Sequence, residues 1–574
     1  MTTYFFGLPR HVSHRAGRGN AMAAALLVGT LALLLPGAPA AHAAEGPVWI
    51  VNANGYTPTR QGQMAFSALH IGADGRLVGV FAQAPKQLPT NARIVDVGGR
   101  TVIPGLIDAH AHLLSEALLE QEVDLVGAES LKAALERIAL YLEDPAHREG
   151  WVLGRGWNQV LWEGKAFPTS DDLDSIEAKR PVYLRRIDGH AAWANSRAMD
   201  IAGITIDTPD PVGGQIVRDD KGNATGVLVD AAMGLVTPKI PKEATEPNEQ
   251  NIRDTVARLN REGLTGIHQA GISIEWAKRL DKMYRDGGLP LRLYLMLSAD
   301  QKLKDFGKPW LDRHNGRLTV RAVKLYADGA LGSRGAAMIE PYSDQPDTRG
   351  LLFQDDATLI ADVARVHQAG FQAGIHAIGD DANRQALDAI EAAQADGDTS
   401  RRHRIEHTQI LTLADLPRLA RLGVIASMQP VHATSDMNMA EDRIGADRIA
   451  GAYAWRRLLD RGTIIAAGSD FPVELSNPFH GLYAAIARQD ANGMPENGWY
   501  PDQAMTRPEA LAAFTLSGAY AAHQENDVGS LEAGKWADFL VLDRDIMTIA
   551  PGQIRETQVL ETWISGTRVH RVGR

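Results

Sequence analysis

The 574-residue chain contains no cysteine. Disulfides, thiolate metal sites and thiol nucleophiles are thereby excluded, so any metal must be held by His, Asp, Glu or a modified Lys. Positive charge is also short, with a formal net charge of -11 and no long Lys/Arg cluster. Lacking a basic surface, the chain is not expected to bind nucleic acid, and a small molecule is the expected partner. No repeats and no Ser/Thr-rich stalk favour a surface-interaction protein. With 45% apolar and 22% charged residues the composition is globular, and the length suits two or three domains.

Residues 1–43 differ from the rest. Arg10, Arg15 and Arg18 precede "AMAAALLVGTLALLLPG", and small residues at Ala41 and Ala43 suit cleavage before Ala44. The apolar run is short for spanning a bilayer, and no cysteine follows it to take lipid. The expectation is a signal peptide and an exported protein, periplasmic or secreted, with no stable membrane insertion once the signal is removed. No twin-arginine pair points to folded export. Oligomeric state is left open.

From residue 44 to 100 the pattern is strand-like and turn-rich, as in "AFSALHIGADGRLVGVF", and residues 526–574 repeat it in "WADFLVLD" and "VLETWISGTRVHRVG". Each fragment alone has an apolar face that it cannot bury, so the two ends are expected to form one small β domain. Between them, in 101–525, strand candidates fall at 103–108, 264–268, 291–297, 319–325, 372–377, 403–406, 423–428 and 463–468, with helical patterns in several intervals. Eight strands are what a closed parallel (β/α)8 TIM-like barrel needs, although an open doubly wound sheet uses the same alternation. The interval after the first strand is too long for a loop, so residues of about 115–245 read as an inserted subdomain over the strand C-termini.

In "VIPGLIDAHAHLL", His110 and His112 point to one face of an extended chain at a separation that suits a single cation. Later strand ends offer Lys324, His376, His407 and Asp470, and a barrel gathers these around one mouth. Lys324 lies among apolar neighbours where the charged form is disfavoured. Either its neutral amine has become a carbamate that can bridge two metals, or it pairs with Asp328 or Glu406. Asp470 either touches the metal and accepts a proton from water, or caps a helix in "SDFPVEL".

The ordered motifs "PGLIDAHAH", "VKLYADGALGSRGA", "HAIGDDAN", "RIEHTQ", "GSDFPV" and "EAGKWADFLVLD" resemble the metal-dependent amidohydrolase superfamily. The likeness is to its branch of N-substituted formamide deformylase-type and exoenzyme-regulatory-type proteins, from about residue 47 to the C-terminus. The resemblance implies His110, His112, Lys324, His376 and His407 as ligands of one or two Zn2+ ions, for which other divalent metals can substitute. It implies Asp470 as the residue that ligates metal or activates water.

Within the insert, "RRIDGHAAWANS" carries Arg186, Asp188, His190 and Asn195. Resemblance implies that His190 approaches the substrate carbonyl as a catalytic donor; otherwise Asp188, His190 and Asn195 satisfy one another or cap a helix. Trp157 and Trp162 either wall an apolar pocket for substrate or pack a core. "GALGSRGA" lacks the Lys-Ser/Thr ending of a phosphate loop and reads as a tight loop at the mouth, where Arg334 offers a substrate carboxylate a bidentate partner. The expected function is hydrolysis of a non-peptide, amide-type carbon–nitrogen bond by metal-activated water. An ester or lactone hydrolase using the same site is the alternative.

Overall fold

The structure is a computed structural model that describes residues 47–573 apart from 91, 120–121, 145–149 and 300–302. The signal-peptide reading of residues 1–43 lies outside the described residues. No helix among the described residues is long and apolar enough to cross a membrane.

Eight parallel strands form the central sheet: Leu106–Ala111, Leu264–Ile272, Arg292–Ser298, Leu318–Tyr326, Gln372–Ala377, Arg404–His407, Ile425–Met428 and Ile465–Ala467. Each is hydrogen-bonded to the next in sequence, the order of a (β/α)8 barrel. The strands are nearly continuous apolar runs because helices cover their outer side. Helix Glu249–Glu262, for example, starts on an Asn248 capping box, buries Ile252, Val256 and Leu259, and stops where Gly263 takes a φ of +96°.

One boundary differs from the sequence expectation. The run 103–108 is not a single strand: Thr101–Pro104 pairs antiparallel with Phe539–Leu542, and the barrel strand begins only at Leu106. Pro104 has no N–H to continue a ladder, and the chain changes sheets at Gly105.

Strands Thr567–Arg571, Val559–Ile564, Phe539–Leu542, Thr101–Pro104, Asn54–Thr59 and Gly62–Phe66 form one sheet, so both ends of the chain share it. A four-stranded sheet from residues 48–96 packs against it through Ile50, Leu69, Phe539 and Trp563. After the first barrel strand, a six-stranded mixed sheet spans Val123–Asp124 to Ala224–Asp230 around Trp157, Trp162 and Trp193.

The seam between the eighth and first barrel strands is closed by side chains and loops. Asp108 accepts from the Ser469 amide and, at 2.6 Å, from its hydroxyl. The Asp470 amide donates to the His110 carbonyl at 2.7 Å, and the His112 amide to that of Phe471 at 2.8 Å. Closure of the barrel therefore runs through the residues that carry the candidate ligands.

Candidate metal centre

His110 ends the first strand with its ring wholly buried, and His112 follows it at the mouth. Asp470 Oδ1 lies 3.0 Å from His112 Nε2 and 3.5 Å from His110 Nε2, yet has no hydrogen-bond partner. A buried carboxylate oxygen converging with two imidazole nitrogens and bonded to nothing is an arrangement that a cation completes. Nδ1 of His110 sits 2.5 Å from Glu406 Oε2, and Glu406 is itself held by Arg404. Burial would raise Glu406, but Arg404 and His110 outweigh it and hold the carboxylate ionised. Glu406 thus fixes the His110 proton on Nδ1 and leaves the Nε2 lone pair toward the site. Burial, aided by Lys324, pushes the His110 pKa down to about 4, so the ring is neutral as a ligand must be.

Lys324 Nζ is 3.3 Å from His110 Nε2, and among the described residues it makes no ion pair. Pairing with Asp328 or Glu406 is therefore not what holds it. Asp328 instead accepts from the amides of Ala337, Ile378 and Gly379. Burial pushes the Lys324 pKa down to about 8, against the raising charges of Glu406 and Asp470. A neutral amine is accessible near neutral pH. His376 and His407 lie side by side with ring centroids 4.4 Å apart, both held neutral by burial. His376 Nε2 faces the Gly329 carbonyl at 3.3 Å, whereas His407 Nδ1 is anchored on Gln429 Oε1 at 2.8 Å. His407 and Asp470 both hold positive φ, +74° and +64°, which non-glycine residues adopt only where their surroundings impose it.

Among the described residues two compact donor groups emerge: His110, His112 and Asp470; and His407, His432 and Asp470. Asp470 belongs to both. Burial would raise its pKa, but the imidazoles of His110, His112 and His432 hold it below the usual carboxylate range. Asp470 starts no helix among the described residues, so the capping alternative has no counterpart.

The insert supplies the opposite wall of a cavity of about 730 Å³. His190 donates from Nδ1 to Asp230 Oδ1 at 2.7 Å, and its ring centroid is 4.9 Å from that of His376. Burial would lower the His190 pKa; the hydrogen bond and charge of Asp230, with Asp188 and Asp328, outweigh it and raise it. Glycines explain how Asp230 fits: a Cβ on Gly329 or Gly335 would come within 2.5 Å or 2.4 Å of its carboxylate. The glycine-rich loop at the mouth is thus shaped around a residue of the insert.

Of the other candidates, Arg186 and Asp188 also line the cavity, whereas Asn195, Trp157 and Arg334 do not. Asn195 caps helix Ser196–Ala202, and Asp188 pairs with Arg186 while accepting from the His190 amide. Trp157 is not a cavity wall: fully buried, it donates to the Leu184 carbonyl at 2.8 Å and packs with Trp162 and Trp193. The neighbouring Asn158, Val160 and Leu161 line the cavity instead. Arg334 is not available as a carboxylate clamp, because its guanidinium grips Asp344 at 3.0 Å and 3.3 Å and does not line the cavity.

Sequence reading missed Asp108, Asp230, Arg404 and His432, and took Glu406 only as a partner for Lys324. Arg404 and Glu406 were visible as two charges two apart in the strand "RIEH", hence on one face. His432 lies past the end of the seventh strand in "QPVH", a strand end otherwise without a ligand.

The amidohydrolase family model matches residues 93–570. Protein LONG AFTER FAR-RED 3 of Arabidopsis thaliana is 34% identical over 90% of this chain and 91% of its own length. The N-substituted formamide deformylase of Arthrobacter pascens is 30% identical over 91% of this chain and 98% of its own. A solved structure of an uncharacterized metal-dependent hydrolase from Pyrococcus furiosus covers 88% of this chain and all of its own, with a TM-score of 0.67 and 27% identity. Barrel, strand-end histidines and a match that spans the whole barrel and the insert agree: the chain belongs to the amidohydrolase family.

Proposed function

We propose that the chain hydrolyses a non-peptide amide-type carbon–nitrogen bond of a small molecule, N-substituted formamides being the first class to assay. One observation carries the reading: a buried, unpartnered Asp470 Oδ1 that converges with the Nε2 atoms of His110 and His112. His110, His112, Lys324, His376, His407 and Asp470 would hold one or two zinc ions, since nitrogen and oxygen donors without thiolate suit zinc. A bound ion supplies Lewis acidity, which polarises a carbonyl and lowers the pKa of water. The buried Lys324 amine suits a carbamate, which would give it the oxygen donors that an ammonium lacks. Asp470 takes the proton of the attacking water and returns it to the leaving nitrogen. His190, whose Nδ1 proton is held by Asp230, donates a hydrogen bond from Nε2 to the carbonyl oxygen as charge builds there.

The deformylase relative supports the choice of bond, and the roomy cavity supports a small substrate. The test is metal analysis of the purified protein together with an assay panel of N-substituted formamides, N-acyl amino acids, cyclic amides, esters and lactones. Hydrolysis of formamides or other amides that disappears on chelation and returns with zinc is the expected result; turnover of lactones or esters alone would move the function to that class. We further propose export with a mature N-terminus near Ala44, which terminal sequencing of protein from the outer compartment checks; a retained Met1 would overturn it.

A further inference from the structure

His432 stands in helix Pro430–Asp436, directly after the seventh barrel strand. Its ring is buried and stacks on that of His407, with centroids 5.9 Å apart and planes within 18°. Nε2 has no hydrogen-bond partner and lies 3.9 Å from Asp470 Oδ2, in a residue that lines the cavity. That gap is too long for a hydrogen bond between the two groups, and one polar atom of a bound molecule, set to the side of the line that joins them, reaches both. Nδ1, on the far edge of the ring, receives the Gln409 amide at 3.2 Å. A nitrogen that accepts there leaves the ring proton on the other nitrogen, so Nε2 carries an N–H on the edge of the ring that faces Asp470.

We propose that His432 is a substrate-touching catalytic residue, an Nε2–H donor that binds the scissile carbonyl oxygen, and that it is not a metal ligand. This rests on the proposed carbonyl hydrolysis. Asp470 presents its two oxygens to different neighbours: Oδ1 to His110 and His112, Oδ2 to His432. The carboxylate that handles the proton is thereby flanked by the donor that steadies the oxyanion. No proton moves from His432; it contributes a hydrogen bond that shortens as negative charge develops, and its loss raises the barrier with little change in ground-state binding.

The experiment compares H432Q with H432F. The Gln amide N–H reaches the place of Nε2–H and a Phe ring keeps the packing on His407 without the donor. Metal content, kcat and KM are measured for each on the best substrate of the panel. The expected result is full metal loading in both, kcat down by roughly 10²–10³ in H432F with KM within a few-fold, and kcat largely recovered in H432Q. Loss of metal from either folded variant would overturn the proposal in favour of ligation. Equal losses of kcat in H432Q and H432F at full loading, or parent-like kcat in H432F, would overturn it as well. Metal content still separates donor from ligand if H432F misfolds, because H432Q then carries the comparison. Should the parent prove to cleave only esters or lactones, the carbon–nitrogen reading fails while the same ratios, measured on that carbonyl, still decide the role of His432.

Discussion

The barrel and the insert each bring a histidine–carboxylate pair to the site, and their surroundings shift the two rings in opposite directions. His110 with Glu406 is sealed in the barrel, both side chains at 0% exposure, and Glu406 is further bound by Arg404. His190 with Asp230 lies under the glycine-rich loop with the ring still 18% exposed, and Asp230 Oδ2 has no partner. Burial and Lys324 lower His110; the hydrogen bond from His190 to Asp230 overcomes burial and raises His190. Two similar pairs therefore yield a ring pushed toward its neutral form in one place and a ring whose charged form is favoured in the other. What surrounds the pair decides the direction of the shift: nearby cations and full burial favour the neutral ring, and a carboxylate with a free oxygen favours the charged one.

Removing the barrel side altogether should have the largest effect. Lys324→Ala deletes a proposed ligand from the buried centre, and both metal and activity should be lost, with turnover down roughly 10⁴-fold or more if the acceleration depends on the ion. A small carboxylate such as acetate should restore part of it if Lys324 acts as a carbamate. Full metal loading of this variant would remove Lys324 from the centre. Asp470→Asn is milder: most of the metal should stay while kcat falls about 10²–10⁴-fold, the loss of an acid–base group. Unchanged hydrolysis would end its proton role.

The two pairs are separated by conservative changes in their carboxylates. Glu406→Gln removes the charge that fixes His110 and leaves Arg404 buried without its counter-ion. Metal affinity should weaken about 10–100-fold, and stability should fall by roughly 3–5 kcal/mol. Metal titration and thermal melting read both. Asp230→Asn on the insert should leave metal affinity alone and lower kcat roughly tenfold, a fraction of what a lost oxyanion donor costs. If Asp230→Asn releases metal as Glu406→Gln does, the contrast between the pairs collapses.

The barrel side was the readable side. His110, Lys324, His376 and His407 sit on strands, where an apolar run of period two states which residues face inward and where the strand stops. The eight strands in order were visible for the same reason, except where Pro104 and Gly105 switch the chain between sheets. The insert was not readable, because its sheet mixes parallel and antiparallel neighbours drawn from strands as distant as Val123–Asp124 and Ala224–Asp230. No local pattern announces that Asp230 reaches His190 across 40 residues. The glycines of "GALGSRGA" were seen as a tight loop, but the carboxylate that they make room for belongs to another element. His432 escaped for a different reason: it lies on a helix beyond a strand end, outside the alternation that identified the others.

Arg334 carries the smallest expected effect and the sharpest contrast between motif and geometry. Its place in a glycine-rich loop at the mouth suggests a clamp for acidic substrates, which requires a free guanidinium. The structure uses both prongs on Asp344, and Arg443 holds the same carboxylate from the other side. Arg334→Ala should therefore leave Asp344 still paired, and the partly exposed ion pair it removes contributes about 0–1 kcal/mol. KM should shift equally, and by less than about twofold to threefold, for acidic and neutral members of the substrate panel, since no contact to substrate is removed. A selective rise in KM for carboxylate-bearing substrates would show that Arg334 leaves Asp344 when such a substrate binds. The mouth of the barrel, and not the insert alone, would then take part in choosing the substrate.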